Sequence, residues 1–471
     1  MRSSPTILWF RQDLRLDDNA ALEAALERGE PIIPVYIWSE KDEGDWPLGA
    51  ASRWWLHQSL TSLQSELEKR GPSLTIRIGG VAEKLAALAK EVNAGAIYFN
   101  SRYEPAAMQQ EQELERASFV KDLELKSFNS SLLFDPSQIR NQSGGNFKVF
   151  TPYYKACLNH GFPESAFDAP KTLPRFKGSI SSHKIEDLKL LPKINWAAGF
   201  VESWSPGEKG ASKALKAFEK KLGGYLKGRE RPDLDGVSRL SPHLHFGEIG
   251  PRQIVSQLNS GDIAAEGFLR QLVWREFSYY TLFHNPETPL TPLDKRFQNF
   301  PWEKDQALLT SWQKGQTGFP LVDAGMRQLW HTGYMHNRVR MVVASFLVKD
   351  LLLPWQEGAR WFWDTLVDAD LANNTMGWQW TSGCGVDAAP YFRIFNPVKQ
   401  GEKFDPDGAY VKQWVPELKE LDAKWIHHPW NAPSFDLEAA GIRIGETYPE
   451  RIVDHDFARK RALSALASIS K

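Results

Sequence analysis

Cysteine is almost absent from this chain: 471 residues hold only Cys157 and Cys384. Two thiols cannot build a disulfide framework, so the fold must rest on a buried apolar core, and a reducing cytoplasm is the expected compartment. Net charge is equally scarce, at −1. A nucleic-acid partner would therefore have to be held by a local basic patch. Long hydrophobic runs are missing too. Ile7 to Phe10 ends at Arg11, too short for a signal peptide. The longest apolar stretch, Met341 to Leu353, is broken by Lys349 and Asp350 and falls short of a membrane span, so no membrane partner is expected. No Gly-x-Gly-x-x-Gly follows the first apolar segment, which excludes the usual dinucleotide fingerprint. No metal site is expected. What is abundant is tryptophan, with 19 residues, 13 of them at or beyond Trp204. Core filling by large rings accounts for many of these, but not for the motifs they occupy.

Residues 1–130 alternate between two periods. Short apolar runs at Thr6–Phe10, Ile32–Trp38, Leu74–Ile78, Ala96–Phe99 and Asp122–Phe128 read as buried strands, separated by helical patterns such as Ser52–Lys69 and Val81–Val92. This alternation predicts a parallel five-stranded, Rossmann-like α/β sheet covered on both faces. Residues 131–200 carry Asn141-Gln-Ser-Gly-Gly-Asn146 and a Pro-, Lys- and Ser-rich run from Pro170 to Lys193, and read as a connector crossing the surface. Helical periodicity dominates residues 201–471, which predicts an all-α second domain.

Four segments carry chemistry. In Asp368-Ala-Asp-Leu-Ala-Asn-Asn-Thr-Met-Gly-Trp-Gln-Trp380, helical spacing sets Asp370, Asn374 and Trp378 on one face and Trp380 on another. A carboxylate, an amide and an indole make a poor core stripe, because a buried carboxylate is costly without hydrogen bonds. Such a stripe suits a polar heterocycle. In Tyr334-Met-His-Asn-Arg-Val-Arg-Met341, Asn337 and Met341 share a face, while one arginine can pair with a carboxylate such as Asp368 and the other can reach a phosphate. In Arg270-Gln-Leu-Val-Trp-Arg-Glu-Phe277, Gln271 and Trp274 set an amide beside a flat ring, which suits a base-like ligand. In Gly236-Val-Ser-Arg-Leu-Ser-Pro-His243, Ser241 and Pro242 read as N-cap and first helical position, and the exposed N–H groups suit a diphosphate.

Together these segments resemble the DNA photolyase/cryptochrome family along nearly the whole chain. Further marks are Trp9-Phe-Arg-Gln-Asp-Leu-Arg15, Trp274-Arg-Glu-Phe277, Gly318-Phe-Pro-Leu-Val-Asp-Ala324 and Tyr391-Phe-Arg-Ile-Phe-Asn-Pro397. The resemblance implies an FAD inside the helical domain. It assigns the diphosphate to Tyr225 and to Val237, Ser238, Arg239, Leu240 and Ser241. It pairs Asp368 with Arg340, sets Asp370 at the isoalloxazine edge and Asn374 at flavin N5, and adds Ala369 and Arg275 to the cofactor site. It implies that excited, reduced FAD splits a cyclobutane pyrimidine dimer flipped out of damaged DNA. Trp274 and Trp380 would flank that lesion, Asn337, Met341 and Gln271 would line its pocket, and Arg338 and Arg393 would meet the backbone. Trp378, Trp355 and Trp302 match the family's electron relay to oxidised flavin. A monomer is expected.

The chain departs from the family pattern at two places. Many dimer-repairing members have glutamate where this chain has Gln271, which can still donate an N–H bond to a pyrimidine carbonyl. The members specific for (6-4) lesions also carry Gln here, but they have two histidines where this chain has Asn337 and Met341. The folate-binding branch has an Asn-Glu pair where this chain reads Ala106-Ala107, so a second, antenna chromophore is left open between a deazaflavin, a folate, a flavin and none. Asn374 is the photolyase residue, aspartate and cysteine marking photoreceptor branches. The leading expectation is a light-driven deoxyribodipyrimidine photolyase. The alternatives are a cryptochrome-like photoreceptor, (6-4) repair, and a flavin oxidoreductase with no DNA role; the chain has no long tail beyond Ala458-Arg-Lys-Arg461 of the kind many signalling members carry.

Overall fold

The computed structural model describes residues 4–163, 167–258, 261–388 and 392–469. Its first domain is a parallel sheet of β1 (Thr6–Phe10), β2 (Ile32–Trp38), β3 (Thr75–Ile78), β4 (Ala96–Asn100) and β5 (Glu124–Phe128), in spatial order β3-β2-β1-β4-β5. Every residue of β1, β2 and β4 is buried, because each strand has a neighbour on either side and helices above and below. Alternation sorts their side chains. Leu8 and Phe10 pack with α1 (Ala20–Glu27) and α2 (Ala50–Glu68), while Ile7 and Trp9 pack with α3 (Val81–Val92) and α4 (Pro105–Arg116). β5 differs from expectation. It is an edge strand, with Glu124, Lys126 and Ser127 exposed, and its charged outer side is what an unpaired edge requires.

The connector is exposed along most of 170–193, as expected, but it does not stay on the surface throughout. It forms α5 (Phe150–His160), whose Phe150, Tyr153, Tyr154 and Cys157 are buried against Val273, Phe277 and Tyr280. Aromatic residues at spacings of three and four make that helix amphipathic, a signal outweighed in the sequence by the Gly- and Ser-rich run before it.

The second domain is helical. Four of its helices carry the site, α6 (Ile263–His284), α7 (Asn337–Ser345), α8 (Trp355–Thr365) and α9 (Leu371–Ser382), and α10 (His455–Ser468) packs on the turn that follows α7. α7 runs directly into a π-helical turn, Phe346–Asp350. α9 opens with Asp370 as N-cap, accepting from the Asn373 N–H at 2.8 Å, and closes on Gly383 with φ +94°. The two domains are tied at the carboxyl end of β1, where the sheet order switches between β1 and β4. Leu14 N–H donates to Phe246 O, Arg15 donates to Gly247 O, and Glu248 accepts from Trp55, Ser59 and Gly207. The segment Trp9–Arg15 therefore serves the domain junction.

Candidate active site

Asp368, at the start of the loop before α9, is buried and takes Arg340 on both oxygens at 3.0 and 2.8 Å. Arg340 is itself aimed by a bond from Nε to Met335 O. Asp368 also accepts from Ser241 Oγ at 2.6 Å. Ser241 therefore spends its hydroxyl on the carboxylate and does not cap its helix, which is capped at Leu240 with no side-chain bond. Before that short helix, Arg239 holds φ +53° and lies over Trp204 and Tyr334, while Ser238 Oγ accepts from Leu240 N–H. A left-handed arginine in a loop is costly and is kept where the surroundings enforce it, commonly at ligand sites. Val237 is half-buried in the same loop, Tyr225 is buried against Phe218 and Phe268, and Ala369 is buried.

Asp370 is saturated within the protein. One oxygen accepts from Asn373 N–H and Nδ2, the other from the Tyr279 hydroxyl and His245. Burial opposes its ionisation, but bonds from His245 and Tyr279 and the charge of Arg275 outweigh that and hold the carboxyl well below its usual range. A carboxylate has about four acceptor sites, and the four contacts from protein donors hold this side chain as the N-cap of α9. His245 also faces Gln12 of the β1 segment at 3.5 Å, and Arg275 is fixed by Ser131 O at 2.9 Å. Tyr279 and His245 were missed in the sequence, although Tyr279 shares the face of Gln271 and Arg275 at helical spacing.

One turn along α9, Asn374 Nδ2 donates to Ala359 O at 3.0 Å, which leaves its Oδ1 as a fixed acceptor. Gly377 lies on the same side, exposed in mid-helix, and a Cβ there would meet nothing within 4 Å. Helix-interior glycine costs about 1 kcal/mol, and a flat ligand lying against the backbone is a reason to keep it. His336 Nε2 is buried without a partner among the described residues, and burial lowers the ring to about 4, so it stays neutral. Oriented acceptor, bare backbone, buried Arg–Asp pair and strained loop suit the ring, the edge and the diphosphate of a flavin dinucleotide.

On α6, which packs against α9, Trp274 stacks on Phe150 at 3.6 Å and 6°, leaving one ring face uncovered by it. Gln271 accepts from Arg229 at 3.3 Å, while its Nε2 is only weakly held by Gly267 O at 3.4 Å. Asn337 and Met341 are in contact one turn apart on α7. Arg338 is ion-paired with Glu230 and lies 4.3 Å over Phe404, and Arg393 lies 5.4 Å over Trp380. Tyr391 of the matching segment lies outside the described residues. Behind the pocket, Trp378 packs on Phe362 at 5.0 Å and on Trp312 at 6.2 Å. Trp355 is fully buried on α8, and Trp302 is half-buried on Phe300 at 4.3 Å.

Two family models match this chain: that of DNA photolyase over residues 6–172, and that of the FAD binding domain of DNA photolyase over residues 268–468. The chain belongs to the DNA photolyase family. It is 47% identical to a deoxyribodipyrimidine photo-lyase of Agrobacterium fabrum, covering 100% of this chain and 99% of that protein. It is 39% identical to Cryptochrome-1 of Arabidopsis thaliana, covering 98% and 70%. Among solved structures, a bacterial class III photolyase from Agrobacterium tumefaciens superposes with a TM-score of 0.96 at 46% identity, covering 100% of this chain and 98% of that one. An archaeal photolyase from Sulfolobus tokodaii with two FAD molecules gives 0.84 at 30% identity, covering 98% and 100%.

The helical half of this photolyase-family chain is thus an FAD-binding domain, on the expected α/β-plus-α fold. No helix among the described residues is long and apolar enough to cross a membrane. At the domain junction, Ala106 lines a cleft of about 240 Å³ with Trp46, Glu104, Leu290 and Trp363, while Ala107 is buried. The antenna chromophore stays unspecified.

Proposed function

We propose that this protein repairs cyclobutane pyrimidine dimers in DNA, driven by light. The observations that carry the reading are Asn374 on α9, its Nδ2 fixed on Ala359 O, and the side chains of Gln271, Trp274, Asn337, Met341 and Trp380, carried on α9 itself and on the two helices packed against it, α6 and α7. When bound, reduced FAD supplies on excitation the electron that opens the cyclobutane ring and recovers it afterwards. The protein's own part is to bind, orient and exclude water. Arg340, Asp368, Ser241, Ser238 and Arg239 would hold the cofactor's diphosphate side, with Tyr225, Val237, Leu240 and Ala369 as packing and Arg275 fixing the wall behind Asp370. Asn374 would offer Oδ1 to a flavin N–H, an acceptor that suits the reduced ring.

The free face of Trp274 and the indole of Trp380 would stack the flipped-out bases. Gln271, its carbonyl taken by Arg229, would turn its N–H groups to a pyrimidine carbonyl. Arg338 and Arg393 would meet phosphates, giving salt-dependent affinity at a net charge of −1. Trp378, Trp355 and Trp302 would carry electrons to oxidised flavin and play no part in the repair cycle itself. We divide the chain into an antenna-type domain at 1–130, a connector at 131–200 and a catalytic domain at 201–471. The two buried, unpaired cysteines favour the cytoplasm, and a monomer accounts for one lesion per site.

The test is a competition. Reduced protein is illuminated with two oligonucleotides, one carrying a thymine dimer and one a (6-4) product, and both are followed chromatographically. Recovery of intact thymines from the dimer alone is expected. Recovery from the (6-4) strand would move the assignment to that lesion, and recovery from neither, with FAD bound, would favour a photoreceptor.

A further inference from the structure

Lys349 is 1% exposed, in the π-helical turn that follows α7. Among the described residues no carboxylate pairs with it. Its neighbour Asp350 turns away to His455 and accepts Arg461 on its carbonyl, which fastens α10. The Lys349 ammonium has two partners: Nζ donates to Arg393 O at 2.7 Å and lies 3.7 Å from the centre of the Phe392 ring. A buried cation without a counter-ion is expensive, and an apolar side chain of equal volume is the usual cheaper solution. Burial pushes this ammonium down to about 7. One turn earlier, Ser345 Oγ accepts from Phe395 N–H at 3.1 Å. Two polar groups four residues apart thus grip one segment, 392–395, at two points.

That segment leads to the pocket. The Phe392 ring is wedged against the left-handed Gly383 that ends α9, where a Cβ would stand 2.8 Å from the ring. Arg393 is exposed and holds its guanidinium over Trp380. Neither residue that grips the segment can touch DNA, since both are buried.

We propose that Lys349, with Ser345, is a positioning residue for DNA binding: it fixes the 392–395 backbone so that Arg393 stays over Trp380 and presents its charge to a phosphate beside the flipped-out lesion. This rests on the repair reading above.

The test is a double-mutant cycle on the FAD-loaded full chain, reading the Kd for a duplex with one thymine dimer across a salt series. Lys349→Met fills the same volume without the charge, and Lys349→Gln keeps an N–H for the Arg393 carbonyl. Lys349→Met is expected to weaken binding about tenfold and to lower the salt slope by about 1, as loss of one phosphate contact does. Lys349→Gln recovers most of the affinity. In an Arg393→Ala background Lys349→Met has no further effect on the Kd or on the salt slope. An unchanged Kd in Lys349→Met, or losses that simply add in the double variant, overturns the proposal. If Lys349→Met does not retain FAD, Ser345→Ala takes its place in the cycle. A loss that vanishes in the Arg393→Ala background is again expected, and no loss, or one that persists there, overturns it. A wild-type protein with no preference for the dimer duplex over undamaged duplex would instead sink the repair reading itself.

Discussion

Trp378 lies so close to Gly358 on the neighbouring helix that a methyl group added there would stand 2.0 Å from the indole. Gly358 follows Trp355 by three residues on α8, so the two share a helix face and the missing side chain is what seats the Trp378 indole beside the turn that carries Trp355. Gly358→Ala is therefore expected to push Trp378 out of place. It should cost about 1–3 kcal/mol of stability, the usual penalty of overpacking, and slow photoreduction of oxidised FAD. Denaturant melts and bleaching of the oxidised flavin band under blue light check both, and wild-type rates in a stable variant would refute the packing argument.

Trp378→Phe separates relay from repair. We expect it to abolish photoreduction of oxidised FAD while repair by chemically pre-reduced protein proceeds as in the wild type. Paired absorbance and repair assays read the two activities on one sample. Unchanged photoreduction would refute the route through this ring.

Gln271→Glu probes the lesion side. Arg229, already on the Gln271 carbonyl at 3.3 Å, would gain a carboxylate partner without a change of shape. Dimer repair is expected to be kept or raised, measured as repair per absorbed photon at saturating DNA. A large loss would mean that Gln271 is matched to a different lesion.

Glu276 predicts a pH dependence of stability. Burial raises its carboxyl from 4.5 to about 7, against the lowering effect of Arg275 and of the Phe134 and Leu133 N–H groups. The folded chain then holds this proton more tightly than the unfolded chain does. Its contribution is full below about 4.5 and is lost as pH rises through 7, amounting to about 3 kcal/mol at most. Melting midpoints should fall between pH 5 and pH 8, and Glu276→Gln should flatten that fall. A variant with the same slope as the wild type would show that another group controls it.

Much of this was legible in the sequence for a physical reason: strands buried on both faces must be apolar throughout, and ligand-binding helices must carry polar groups at helical spacing. β1, β2 and β4 follow directly, and an arginine of α7 on a carboxylate such as Asp368 is what the spacing allows, with Arg340 singled out by the family resemblance. What was hidden depends on partners distant in the chain. Nothing near Asp370 in the sequence announces Tyr279 and His245 as its donors. Ser241 looked like a cap, and its hydroxyl goes instead to a carboxylate 127 positions away. Lys349 looked like a break in an apolar run, and only the fold brings the Arg393 carbonyl to it. β5 shows the same limit, because an edge position is a property of the sheet and not of the strand.

With reduced FAD bound, this pocket is expected to turn light into dimer cleavage. The most direct measurement is a single-turnover experiment with protein in excess over an oligonucleotide bearing one thymine dimer. The pre-reduced complex is held without oxygen and sampled in the dark and under blue light. Intact thymines appearing only in the light, to near completion, is the result expected. A dimer that survives illumination while bound beside reduced FAD would contradict it.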